Sequence, residues 1–112
     1  MSGTTIPHLN VHDTEWAPME LGHESILYRS ADRLRIAGTF KESGTLRLLM
    51  PFDEFVYVIA GTVTMTNHDV DQTFTAGPGE AFWVMQGSDV TWTMSDDFHD
   101  ITVLISDTPM SG

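Results

Sequence analysis

The chain has 112 residues, an apolar fraction of 41% and no cysteine. It therefore predicts one domain with a single core, without disulfides or thiolate metal sites. Sixteen acidic against five basic side chains give a formal net charge of −11, which repels phosphate and anionic lipid and argues against nucleic acid or a membrane as partner. No apolar run is long enough to span a membrane, and the N-terminus carries no export signal; we expect a cytoplasmic protein.

The first 24 residues show neither a helical nor a strand pattern. Pro7 and Gly22 stand among isolated apolar side chains, and no 3.6-residue or 2-residue period extends over a useful length. We predict an extended N-terminal arm over residues 1–24. Trp16 and Met19 are expected to attach this arm either to the body of the domain or to a second subunit.

Residues 25–112 consist of short alternating apolar runs separated by glycine and aspartate turns. These runs predict eight or nine β-strands and no helix longer than a turn. They cover residues 25–30, 34–40, 46–50, 55–66, 72–75, 81–85, 90–94 and 101–106. Many short strands at this spacing are typical of an antiparallel barrel or a double-sheet jelly roll, which protects most strand edges.

Two spacings and four segments in this region carry further information. Glu54 is separated by six residues from Gly61, and Gly79 is followed at fixed distances by Met85 and Gly87. The segments are Gly44-Thr-Leu, Pro51-Phe-Asp-Glu-Phe-Val-Tyr-Val, Gly77-Pro-Gly-Glu-Ala-Phe and Val90-Thr-Trp. Together they resemble the two motifs of the cupin superfamily, in its ureidoglycine aminohydrolase-type and ethanolamine-utilisation-type branch. The resemblance implies an all-β cupin jelly-roll β-barrel.

The positions at which metal-binding cupins carry their ligands differ from that pattern. Leu48 and Met50 stand where the resemblance places two histidines, Val90 stands in place of the third, and only Glu54 remains. Metals in such barrels need several imidazole nitrogens and a carboxylate converging at about 2.0–2.2 Å. Leucine, a thioether and valine do not replace imidazoles, so we predict no metal and no other cofactor.

Strand alternation predicts which side chains face the inside of the barrel. We expect Leu48, Met50, Glu54, Val90 and Trp92 to line a ligand-binding cavity that is apolar, with an aromatic wall and one carboxylate. Trp92, like Trp83, either fills the core or offers a stacking face to a sugar ring, a heterocycle or a cationic amine.

Glu54 leaves two alternatives open. A carboxylate that faces an apolar interior is costly unless an arginine or several donors compensate it. Arg33, Arg35 and Arg47 lie on neighbouring predicted strands. Glu54 is therefore either a ligand-binding residue and candidate catalytic acid or base, or a structural residue hydrogen-bonded to a nearby donor.

The five histidines, at positions 8, 12, 23, 68 and 99, do not stand at cupin ligand positions. His8 and His12 have a spacing that binds metal only on a helix, which Pro7 opposes. We expect all five at the surface.

These observations lead to one functional expectation and one rival. We expect a cupin that binds a small organic molecule without a metal, and the resemblance implies nitrogen-compound or amino-alcohol catabolism. The alternative is an enzyme, namely an aminohydrolase, isomerase or lyase of the ureidoglycine aminohydrolase type, with Glu54 as acid or base. A third alternative is a structural protein whose barrel is filled by its own side chains. The resemblance also implies a homodimer.

Overall fold

The computed structural model of the chain describes residues 3–111 and contains ten β-strands in two antiparallel sheets. The strands are β1 Ala17–Met19, β2 Gly22–Arg29, β3 Arg35–Glu42, β4 Gly44–Leu49, β5 Asp53–Ala60, β6 Val63–Asn67, β7 Gln72–Ala76, β8 Ala81–Val84, β9 Asp89–Met94 and β10 His99–Ile105. Over those residues the chain forms no helix at all, and hence none with the length and apolarity to cross a membrane. The predicted all-β class is confirmed.

The two sheets pack face to face as a jelly roll. The larger sheet has the strand order β1-β2-β3-β10-β5-β8, and the smaller sheet has the order β4-β9-β6-β7. The last strand, β10, lies between β3 and β5 and pairs with both along its length. Because every neighbouring pair is antiparallel and the chain switches repeatedly between sheets, this is the predicted jelly roll in one domain.

Two differences from the predicted strands change the number of strands. The single run predicted over residues 55–66 is two strands, since β5 ends at Ala60 and β6 begins at Val63 in the other sheet. The segment predicted as an extended arm contains β1, which forms a hairpin with the beginning of β2. Pro18 argues against a strand in the sequence, because proline disrupts the pairing of a central strand. It is tolerated here because β1 is the edge strand of the larger sheet.

The core lies between the sheets. Its eleven buried apolar residues are Met50, Val56, Val58, Val63, Met65, Ala76, Val84, Val90, Trp92, Met94 and Phe98. Each large side chain of this kind contributes about 1.5–3 kcal/mol when it leaves water. Met50 and Trp92, two of the residues predicted to line a cavity, belong to this core, so core and cavity share a wall.

The arm packs against the outer face of its own larger sheet. Trp16 lies edge-on to His99 with ring centroids 5.5 Å apart, and Lys41 Nζ lies 4.7 Å from the centroid of the Trp16 ring. Thr14 Oγ1 and Ser25 Oγ are 2.7 Å apart and share a hydrogen bond. The arm is therefore attached to the body of the domain at Thr14 and Trp16.

The expectation that all five histidines lie at the surface is wrong for His99, which is 5% exposed. The Thr39 hydroxyl donates its one proton to the Asp100 carbonyl oxygen, at 2.7 Å. His99 Nε2, 2.9 Å from the same hydroxyl oxygen, must therefore donate to it. Burial, followed by the charges of Lys41 and His12, lowers the pKa of His99, so the ring favours its neutral form.

Gly61 makes the turn that carries the chain from β5 to β6. Its φ is +70°, and a Cβ atom at this position would lie 2.6 Å from the backbone nitrogen of Phe98 and from Ser95 Oγ. Gly79 also has a positive φ, +87°, but a Cβ atom there would meet nothing within 4 Å. A substitution at Gly79 therefore costs only the unfavourable backbone conformation, whereas the same substitution at Gly61 costs that conformation and a steric clash.

We expect Gly61→Ala to destabilise the fold much more than Gly79→Ala. The left-handed conformation costs a residue with a Cβ about 1–2 kcal/mol, and only the change at Gly61 adds a clash with backbone. The free energy of unfolding of both variants, from urea titrations, measures the difference. Equal losses would show that the turn relaxes freely around the added methyl group.

Candidate functional site

A cavity of about 180 Å³ opens between the two sheets beside the core. Its wall consists of apolar side chains, two carboxylates and one hydroxyl. The lining residues are Met19, Phe40, Glu42, Leu46, Leu48, Met50, Phe52, Glu54, Trp92, Met94, Thr102 and Leu104. They come from β1, β3, β4, β5, β9 and β10 and from the loop before β5, so both sheets build the cavity.

The structure brings four of the five predicted cavity residues together. Leu48, Met50, Glu54 and Trp92 all line this cavity. The fifth, Val90, is 2% exposed and lines a different cavity of about 200 Å³, in which Trp83 also takes part. Strand alternation placed Val90 inside correctly, but alternation alone does not say which part of the interior a side chain reaches.

Glu54 faces the cavity from β5. Its side chain is half-buried by surface area because the cavity wall itself is accessible. Burial raises the pKa of its carboxyl group well above the usual value, and the charges of Asp100 and Glu42 raise it further. Among residues 3–111, no cation or hydrogen-bond donor lowers it.

Asp100 lies on the same inner face as Glu54, on the neighbouring strand β10. It is 1% exposed, and its Oδ1 has no hydrogen-bond partner in the described chain. Burial, and then the charge of Glu42, raise its pKa to about 8. The nearby Thr102 hydroxyl lowers that pKa, but Thr102 Oγ1 is itself without a partner in hydrogen-bond geometry. The hydroxyl thus acts on Asp100 as a nearby dipole rather than as a bonded donor.

Glu42, at the end of β3, completes a group that we call the carboxylate cluster, consisting of Glu42, Glu54 and Asp100. Burial raises the pKa of Glu42, and the charge of Glu24 on β2 adds to the shift. All three members of the cluster thus keep their protons to a higher pH than free carboxyl groups do. Two of them line the cavity, and Asp100 lies behind the wall.

The arginines proposed as partners of Glu54 lie elsewhere. Arg47 forms a two-pronged ion pair with Asp89, with Nε–Oδ1 at 3.0 Å and Nη2–Oδ2 at 2.8 Å, and its side chain is 60% exposed. Arg33 and Arg35 are also exposed. The bond to a nearby donor that the structural alternative for Glu54 requires is not formed by any of them.

The residues at the cupin metal position do not fit a transition metal. Leu48 and Met50 offer a hydrocarbon and a thioether, which are poor ligands for the metals that imidazole binds. Across the described chain no three His, Cys, Asp or Glu side chains lie close enough to hold an ion. The chemistry available in this cavity is therefore that of carboxyl groups, a hydroxyl and aromatic rings.

Three polar residues of the site were not identified from the sequence, namely Glu42, Asp100 and Thr102. Glu42 was assigned to a turn, and the last strand was predicted to begin at residue 101, whereas β3 includes Glu42 and β10 begins at His99. A strand beginning at His99 places Asp100 and Thr102 on one face, since residues two apart share a face. That polar stripe was the available signal, but only the pairing with β5 shows that it faces inward.

We expect Asp100 to make the fold less stable as the pH rises. Its pKa is about 8 in the folded state against 3.8 for a free carboxyl group, so the native state binds more protons than the unfolded state between these values. The free energy of unfolding must then fall from about pH 4 to about pH 8. Between pH 5 and pH 9, we expect the free energy of unfolding of Asp100→Asn to decrease by about 2 kcal/mol or more less than that of the wild type.

Urea unfolding at several pH values checks this expectation. Asp71→Asn is the matched control, because Asp71 is exposed at the tip of the β6–β7 hairpin and asparagine tolerates its φ of +54°. The same pH slope in Asp100→Asn and the wild type would mean that Asp100 is ionised in the folded protein at neutral pH.

Solved structures with the same fold come from several kinds of protein. The EutQ protein of Clostridium difficile aligns with a TM-score of 0.63 and 22% identity, over 75% of this chain and 67% of that one. KdgF from Halomonas sp. aligns with a TM-score of 0.68 and 17% identity, over 87% and 91%. The polyketide cyclase RemF from Streptomyces resistomycificus aligns with a TM-score of 0.70 and 18% identity, over 95% and 83%. At these identities the likeness shows the fold alone.

The sequence itself gives the family. A search of curated proteins returned no match. A family model described as an EutQ-like cupin domain matches residues 31–99, which is more than half of the chain, and the resemblance to ethanolamine-utilisation-type cupins is thereby confirmed. The chain belongs to the EutQ-like cupin family.

Proposed function

We propose that this cupin binds a small organic molecule, without a metal, in the cavity between its two sheets. The supporting observation is the cavity itself, since about 180 Å³ stay unfilled beside a closely packed core. Pockets for drug-sized ligands have roughly 300–1,000 Å³. The occupant is therefore a smaller molecule.

The composition of the wall supports the same proposal. Ligand sites are mostly apolar with a few polar groups that fix orientation. Here Phe40, Phe52 and Trp92 supply aromatic surface, and Glu54 and Thr102 supply polar groups that face the same space. A barrel filled by its own side chains would leave no such space.

A role in nitrogen-compound or amino-alcohol catabolism forms part of the proposal. The family model is EutQ-like, and a structural neighbour from Salmonella typhimurium LT2 is described as a putative ethanolamine utilization protein. That neighbour is 16% identical over 74% of this chain. The name supports a pathway class and does not identify a ligand.

We expect ligands found by NMR screening of a fragment library to lose binding when the cavity is filled. Leu48→Trp places a larger side chain in the wall and is expected to weaken binding at least tenfold. Leu49→Trp is the matched control, because Leu49 is the next residue, is 69% exposed and does not line the cavity. It should leave binding unchanged.

The same titrations on untreated and chelator-treated protein test metal independence. Equal affinities support the proposal, and elemental analysis should find no transition metal near one equivalent per chain. Ligands that bind Leu48→Trp as tightly as the wild type would place the binding site elsewhere. Affinity lost on chelation would overturn the metal-free part of the proposal.

An enzyme remains the second candidate function, because of the state of Glu54. Burial and neighbouring carboxyl groups raise its pKa well above the usual value, which brings the carboxyl group closer to the range in which a general acid can donate a proton. In an aminohydrolase, isomerase or lyase, Glu54 would serve as the general acid and, once deprotonated, as the base. The apolar wall would strengthen either role by excluding water.

This candidate predicts turnover of a compound that binds in the cavity. NMR of mixtures incubated with the protein would detect product formation, and Glu54→Gln should reduce kcat by about 10²–10⁴-fold with a smaller effect on binding. Asp71→Asn should leave kcat unchanged. If binders of the cavity persist unaltered over days of incubation, the simple binding function stands and the enzyme candidate is contradicted.

A further inference from the structure

The wall of the cavity contains acidic groups and no basic group. Glu42 and Glu54 line it, and no lysine, arginine or histidine does. The basic residues closest in sequence to its lining are engaged outside, where Arg47 pairs with Asp89 and Lys41 lies over the Trp16 ring. The buried carboxylates therefore have no counter-ion within the described protein.

Two further groups point to something that the protein itself does not supply. Thr102 is 2% exposed, lines the cavity, and has a hydroxyl oxygen without a hydrogen-bond partner. Behind the wall, Asp100 Oδ1 is likewise without a partner. Buried polar atoms are nearly always bonded, so an unbonded hydroxyl facing a cavity is suited to a polar group of a ligand.

From these observations we propose that the ligand is a small organic cation, with an ammonium group that lies against Glu54 and Glu42 and an alkyl part that contacts the apolar wall. The proposal deepens the binding function proposed above and rests on it. An ammonium N–H can also donate to Thr102 Oγ1, which would satisfy that hydroxyl. Trp92 lines the same space, and the faces of aromatic rings attract organic cations.

The chemistry of the wall distinguishes an organic cation from a metal ion. Hard cations such as calcium and magnesium require six or more oxygen ligands, including water. Most of this wall is leucine, methionine and phenylalanine, and no three acidic or histidine side chains of the described chain converge at ion-binding distance. An alkylammonium ion needs few polar contacts and gains from apolar ones.

The net charge of the chain acts in the same direction. A formal charge of −11 raises the local concentration of cations around the protein and accelerates their association. That long-range effect is weakened by salt, whereas contacts inside the cavity are screened much less. Titrations at moderate ionic strength therefore measure binding in the cavity rather than attraction to the charged surface.

Binding of a cation should release protons. The titratable groups facing Glu54 are Asp100 on β10 and Glu42 on β3, with Glu24 on β2 beyond Glu42. Without a bound cation, Asp100, whose pKa is about 8, is largely protonated at neutral pH. Burial, and then the charges of Asp100 and Glu42, raise the pKa of Glu54 well above its usual value. A cation favours the ionised form, so affinity should rise with pH, by up to about tenfold per pH unit for each proton released.

The experiment compares cations with neutral molecules of the same shape. Choline and 3,3-dimethylbutan-1-ol form one pair, and propylammonium and propan-1-ol form a smaller pair. Isothermal titration at pH 8 and 0.15 M salt measures both pairs against the wild type, Glu54→Gln, Glu42→Gln and the control Asp71→Asn. We expect at least one cation to bind at least tenfold tighter than its neutral partner, with the preference strongly reduced in Glu54→Gln and retained in Asp71→Asn.

The same measurements contain the results that would overturn the inference. Neutral partners that bind as tightly as both cations, and lose binding in Leu48→Trp, would leave the binding function standing and remove the charge requirement. A preference that survives in both glutamine variants would belong to the acidic surface and would also contradict the inference. Failure of both cations to bind contradicts it as well, whereas the binding function fails only if the fragment screen finds nothing in the cavity. Circular dichroism and thermal unfolding confirm that each variant is folded.

Discussion

The register of β10 between β3 and β5 determines what faces the cavity. Asp100 lies opposite Phe40 on one side and Val58 on the other, and Thr102 is two residues further along on the same face. A shift by one residue would turn Asp100 and Thr102 outward and bring Ile101 and Val103 inside. Judged by hydrophobic burial alone, that alternative would give the more favourable interior.

The observed register is fixed by contacts at the beginning of β10. Two consecutive residues are both buried there on opposite faces of the sheet, His99 under the arm and Asp100 inside. Thr39 connects them, because its hydroxyl donates to the Asp100 carbonyl oxygen and accepts from His99 Nε2. Trp16 covers His99 from the outside. The arm thereby contributes to the position of an acid on the other side of the sheet.

Both the fold and part of the site could be predicted from the sequence because side chains alternate between the two faces of a β-strand. Alternation along β4 and β9 gives the inner positions directly, and Leu48 and Trp92 followed from it because their strands were correctly located. Glu54 lies just before the predicted run 55–66 and was singled out by its position in the cupin motif, whereas β5 begins at Asp53. The three polar residues that were missed depend on where a strand begins or ends and on which of its faces points inward. For β10, the apolar residues at 101, 103 and 105 resemble a core face, although they lie on the outer face of the larger sheet. Only the pairing partners resolve that ambiguity, and they are distant in sequence.

The carboxylate cluster would link folding to the proposed binding. In the free protein, Asp100 has a pKa of about 8 and is largely protonated at neutral pH, and burial raises the pKa of Glu54 well above its usual value, so the fold holds less buried negative charge than free carboxyl groups would carry. As the pH rises above about 8, Asp100 loses its proton and the free barrel carries an unpaired charge, which is where a cationic ligand would add most to stability. A glutamine or leucine at position 54 would remove this cost together with any ability to attract a positive charge. A single acidic group without a protein counter-ion can thus be unfavourable for the free fold and favourable for the complex.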